Sequence, residues 1–135
     1  EVANMPLPIP LAAYKALVIG QIKEQRDGQL EYVVLAEYPP GSGLMFSCSM
    51  TSQINWGNLT VLDDRGLVTY PFTVTTYDEQ DTYSLVSAAD LTGAVGTVSA
   101  AVMAARDIAQ SYIVAVNAAA TQADVDAAAA PYLDA

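Results

Sequence analysis

Residues 91–120, LTGAVGTVSAAVMAARDIAQSYIVAVNAAA, constrain the fold more than any other part of the chain, because no other segment is long enough to cover a whole sheet. The stretch reads as one helix, and at about 1.5 Å of rise per residue it would run about 40 Å, roughly the diameter of a domain this size. Val95, Val98, Val102, Ala105, Ala109, Tyr112 and Val116 recur at steps of three and four. Arg106, Asp107, Gln110 and Ser111 are nearly the only strongly polar side chains between Thr97 and Val116. A helix with so narrow a polar stripe is normally covered on more than one side. Its length would also suit a membrane, but Arg106 and Asp107 fall at its centre, where each charge costs about 2.5–3.5 kcal/mol, and Ala and Gly add little hydrophobicity in return. Gly93, Gly96, Ala100 and Ala104 lie on or near one face; they either admit a second backbone or reflect the helix propensity of alanine.

Charge and missing residue types narrow the function. Fifteen acids against five bases give a formal charge of −10. The five cations, Lys15, Lys23, Arg26, Arg65 and Arg106, form no basic stripe, which argues against nucleic-acid partners and against an anionic membrane surface. Histidine is absent, which removes Ser-His-Asp and Cys-His catalysis and His-ligated zinc. No Walker motif, G-x-G-x-x-G, metal-binding cysteine spacing or nucleophile elbow occurs, so no cofactor is expected. The single cysteine, Cys48, alternates with Phe46 and Met50 and reads as a small buried hydrophobe rather than a nucleophile. Asp78, Glu79 and Asp81 lack EF-hand spacing and read as a solvated loop rather than a calcium site.

At 135 residues the chain is expected to form an extended arm over 1–12 and a single α+β domain over 13–135. An initial glutamate is not what removal of an initiator methionine leaves, so a cut signal, a maturation cleavage and an arbitrary boundary all fit. The segment MPLPIP, with prolines at 6, 8 and 10, is stiff and extended, suited either to a neighbouring subunit or to packing on its own domain. Asp27-Gly28 between two β-rich runs predicts a hairpin of strands 13–25 and 29–38. Alternation of Leu44, Phe46, Cys48 and Met50 predicts another strand, interrupted by an Asn55–Asn58 loop in which Trp56 is a lid on the core or an exposed anchor. Residues 59–62 and 67–77 predict a second hairpin, with Pro71 placing the latter strand at an edge or a bulge. A last strand spans 82–87, and Asp90 or Thr92 caps the long helix. Thr121 and Asp124 have capping-box spacing for a short helix over 122–130, which Pro131 should stop, with Tyr132 and Leu133 pinning it.

The expected fold is therefore α+β: an antiparallel sheet of five or six strands over 13–87, a helix over 92–117 packed across it, and the short C-terminal helix. No family motif is matched residue by residue. With a proline-rich arm, an antiparallel sheet, a long Ala-rich helix and no catalytic histidine, the chain resembles in general type the small structural proteins of virus particles, particularly tailed-phage capsid decoration or tail components. That resemblance implies a non-enzymatic assembly subunit of a virion whose partners are copies of itself or other structural subunits. A secreted β-rich binding or adhesion module, hence extracellular, is the alternative, and a small pocket-bearing enzyme comes third. The expected interface comprises Met5, Pro6, Leu7, Pro8, Ile9 and Pro10 of the arm with Arg106, Gln110 and Tyr112 of the long helix.

Overall fold

The structure is a computed structural model and describes residues 8–135. In chain order it contains α1 (Leu11–Tyr32), β1 (Leu35–Glu37), β2 (Met45–Ser47), α2 (Met50–Asp64), β3 (Phe72–Thr75), β4 (Thr82–Leu85), α3 (Ala88–Ala118) and α4 (Gln122–Leu133). The strands make two separate antiparallel pairs, β1 with β2 and β3 with β4. The expected sheet of five or six strands is thus overturned: the chain is mixed α+β, with four helices and two two-stranded sheets among the described residues.

The largest correction is the first hairpin, which is instead the single helix α1. Leu11, Tyr14, Val18 and Ile22 follow steps of three, four and four, and Val18 and Ile22 are buried among α3 and α4 side chains. Burying each such side chain is worth about 1.5–3 kcal/mol. The glycine of Asp27-Gly28 costs only about 1 kcal/mol inside a helix, with open space where a side chain would stand. Burial therefore outweighs the local turn signal.

The second correction is α2. Phe46 and Cys48 are buried as the alternation predicts, but the strand ends at Ser47. Ser49 then accepts the Ser52 N–H at 3.2 Å and starts a helix. The expected Asn55–Asn58 loop and the strand over 59–62 both lie inside it. Its end is a glycine-terminated motif: Gly66 has φ +70°, its N–H donates to the Asp63 carbonyl, and Leu67 N–H donates to that of Leu62.

The later elements follow the sequence more closely. The strand expected over 67–77 shortens to Phe72–Thr75, with Pro71 just before it, and the last strand is Thr82–Leu85. α3 starts at Ala88, earlier than expected, because Ser87 accepts the Asp90 N–H at 3.2 Å. Thr121 caps α4 by accepting the Asp124 N–H, but Pro131 sits inside the helix rather than stopping it. Tyr132, the next-to-last residue of the helix, is buried as the pinning residue.

By its internal contacts the chain divides into two units, one of the chain up to Arg26 with Asp107–Ala135, the other Asp27–Arg106. The expected arm-plus-single-domain organisation placed no boundary at either point. In the first unit Val18 and Ile22 of α1, Ala109, Ile113 and Val116 of α3, and Val125, Ala129 and Tyr132 of α4 form one apolar cluster. In the second, Leu30, Ala36, Phe46, Cys48, Val98, Val102 and Ala105 form another, and Leu85, Leu91 and Ala94 a third.

Candidate protein-interaction site

Within the second unit the two hairpins and α2 surround an open cleft of about 570 Å³. Phe46, Trp56, Leu59 and Leu62 supply its apolar wall. Trp56 stands edge-on to Phe46, with ring centroids 5.9 Å apart, so it works chiefly as a lid on the core. Opposite lies a continuous run of chain, Phe72 through Tyr77, which comprises β3 and the start of its turn. The polar groups of the cleft are hydroxyls and amides, including Ser52, Asn55 and Thr73, with Glu79 as its carboxylate. Their chemistry is hydrogen bonding.

The β3 side of this cleft is a sheet edge with no partner strand among the described residues. β3 pairs with β4 in the register Phe72↔Leu85, Thr73↔Ser84, Val74↔Tyr83 and Thr75↔Thr82. One step on, Thr76 N–H donates to the Asp81 carbonyl at 3.0 Å, which marks that position as a bonded one. Bonded and non-bonded positions alternate in an antiparallel pair, so Phe72 and Val74 bond to β4, while the N–H and C=O of Thr73 and Thr75 point away from it. Tyr77, next in that outward series, donates its N–H to the Met45 carbonyl of β2 at 2.9 Å. Among the described residues, Thr73 and Thr75 have no such outward backbone partner.

The turn that follows is fixed by its own acids. Asp78 accepts from the Thr76 hydroxyl at 2.9 Å and from the Gln80 N–H at 3.1 Å, and these bonds, that from Gln80 foremost, hold its carboxyl below the usual range. The acidic trio thus contains a turn-former, and among the described residues no group of three His, Cys, Asp or Glu is placed to hold a metal ion.

α2 turns a second surface outward. No residue of this helix is buried, and Met50, Ile54 and Val61 are 56, 55 and 48 % exposed. With Gly57 they follow steps of four, three and four, which places them on one face as an apolar stripe with a side-chain-free position in its middle. Surface helices normally carry polar residues there.

A polar hub supports the fold behind these surfaces. The Asp90 carboxylate accepts from the Tyr38 hydroxyl, from the Tyr83 hydroxyl at 2.9 Å and from the Val86 N–H at 3.0 Å. Burial works against ionising Asp90, but these three bonds outweigh it and hold the carboxyl below its ordinary value. The same bond raises Tyr38 to about 12, and that to Tyr83 raises the latter's phenol as well. Gly93 makes room for the hub, since a Cβ there would stand 2.7 Å from the Tyr38 oxygen. Burial raises the Cys48 thiol, consistent with packing rather than reactivity.

Of the residues expected at an interface, Met5, Pro6 and Leu7 lie outside the described residues, while Pro8, Ile9 and Pro10 are exposed. The Ile9 carbonyl accepts from Gln122 Nε2 at 2.7 Å and that of Pro10 accepts from Tyr14 N–H at 3.0 Å, which roots this segment at the start of α1. Arg106 and Gln110 are exposed on α3. Tyr112 is half-buried, stacked at 5.2 Å on Tyr132. The sequence reading did not find the α2 stripe or the β3 edge. The four-three-four spacing of Met50, Ile54, Gly57 and Val61 was its available signal, obscured by reading Asn55–Asn58 as a loop. A scan against protein-family models finds no match, and neither do searches of curated proteins and of solved structures.

Proposed function

We propose that this chain is a non-enzymatic structural subunit that works by associating with copies of itself or with other structural subunits. The observation that carries this reading is α2, a fifteen-residue helix without a buried residue, whose outward face is Met50, Ile54, Gly57 and Val61. A lone exposed apolar residue is ordinary, but a contiguous stripe on one helix face is the pattern of a contact surface. Exposed Met103, Ile108 and Val114 on α3 give that helix the same underpolar character near Arg106 and Gln110. The narrower placing, a virion component such as a tailed-phage capsid decoration, cement or tail protein, rests on the resemblance in general type. Size-exclusion chromatography with light scattering tests the reading. The parent chain is expected to run above monomer mass, and Ile54→Asp to lower that mass while monomer stability changes by no more than about 0.5 kcal/mol. A strictly monomeric parent at all concentrations would refute it.

A further inference from the structure

We infer that the outward edge of β3 is the receptor for residues Met5 to Pro10 of a second copy, which adds there as a short strand; this rests on the assembly reading above. The edge offers two complete outward backbone positions, Thr73 and Thr75, whose N–H and C=O have no partner among the described residues. In an extended chain successive residues present their backbone groups to opposite sides, so Met5, Leu7 and Ile9 share one edge and Pro6, Pro8 and Pro10 the other. The first edge has every donor it needs. The second has none, because proline lacks an N–H.

This one-sidedness matches the receptor. Thr73 and Thr75 are two residues apart, as are Met5 and Leu7, so both pairs repeat at about 6.6 Å along a strand and two full pairings can form in register. Ile9, whose carbonyl is already held by Gln122, is left as the root of the arm. Met5, Leu7 and Ile9 also share a face, so the side chains accompanying the pairing edge are apolar, as is the wall made by Phe46, Trp56, Leu59 and Leu62. An ordinary strand docked at β3 would expose a fresh edge and invite further pairing. A strand with proline at every second position ends the sheet, which gives a contact of one arm per edge. Adding a strand to a free edge is an established mode of recognition, with backbone bonds supplying affinity and side-chain pockets supplying specificity.

The test joins residue-resolved amide exchange to light scattering, on the full chain and on Leu7→Pro. The substitution removes one of the two central donors of the arm. In the full chain we expect an oligomer in which Thr73 and Thr75 exchange slowly. In Leu7→Pro both amides should lose their protection, while those of Val74 and Phe72, bonded to β4, keep theirs, and the mass should fall. An oligomeric parent whose mass and Thr73 and Thr75 exchange are unmoved by Leu7→Pro overturns the arm-to-edge pairing and leaves the assembly reading standing. Slow exchange of Thr73 and Thr75 in a monomeric parent, lost in Leu7→Pro, means the arm folds onto its own chain and overturns the role of a second copy. A monomeric parent with both amides exchanging fast overturns pairing and assembly together.

Discussion

At the scale of single residues, the Asp90 hub makes the sharpest predictions, because two glycines one turn apart on α3 differ in what surrounds them. Gly93→Ala drives a methyl into the Tyr38 hydroxyl, whereas nothing lies within 4 Å of the corresponding position at Gly96. Gly96→Ala is therefore expected to raise the unfolding free energy by about 0.5–1 kcal/mol through helix propensity, and Gly93→Ala to lower it despite the same propensity gain. Urea denaturation of the pair measures the difference of sign. The pH dependence follows from the same site. A depressed Asp90 adds stability above the ordinary carboxylate value, and that stability is lost as pH falls through the folded value, below about 4. A raised Tyr38 works in the opposite sense: its contribution is complete below about 10 and is lost as pH climbs to about 12. Plotting the urea midpoint against pH should show both limbs, and Asp90→Asn should flatten the acid limb and bring the Tyr38 absorbance titration toward ordinary phenol values.

At the scale of elements, α3 presents adjacent positions with opposite expectations. Val102 is buried with Leu30, Phe46 and Cys48, while its neighbour Met103 is 62 % exposed. Val102→Asp places an unpaired charge in that cluster and should cost more than the about 3 kcal/mol that bounds most substitutions. Met103→Asp should leave the melting temperature nearly unchanged, and a larger effect of Met103→Asp than of Val102→Asp by calorimetry would show the helix to be turned the other way. For α1, Gly28→Ala tests the correction of the hairpin directly. A residue inside a helix with open space around it should gain up to about 1 kcal/mol from alanine, while a glycine at a tight β-turn would lose stability on the same change. Thr121→Ala, removing the cap of α4, should cost about 1 kcal/mol.

At the scale of the whole molecule, charge and apolar surface pull association in opposite directions. Each copy carries a formal charge of −10, so bringing copies together costs repulsion that added salt screens, with a Debye length of about 10 Å at 0.1 M. The apolar stripe of α2 and the backbone bonds available at β3 are little affected by that screening. Association is therefore expected to strengthen between low salt and about 0.15 M, and light scattering across a salt series measures it. Weakening over that range would point instead to a partner held by opposite charge.

What the sequence determined by itself was the element whose signal is repeated often enough to survive its context. Of the residues picked out by spacing alone, Val98, Val102, Ala105, Ala109 and Val116 are buried and Val95 and Tyr112 half-buried, and α3 runs through the expected range with a few residues added at its start. Thr121 as a cap, Cys48 as a buried thiol and the strand at 82–85 were legible for the same reason: each depends on neighbours in sequence. The tertiary structure decided the rest. The alternations at 29–38 and 44–52 are compatible with a strand, but Leu30 and Phe46 satisfy their burial in one cluster from a helix and from a three-residue strand. Helix α1 outbids its Asp-Gly turn only because Val18 and Ile22 find α3 and α4 to pack against. The candidate site was hidden for the same physical reason, since an unpaired edge at Thr73 and Thr75 is a property of which strands are neighbours, and no run of side chains encodes a missing neighbour.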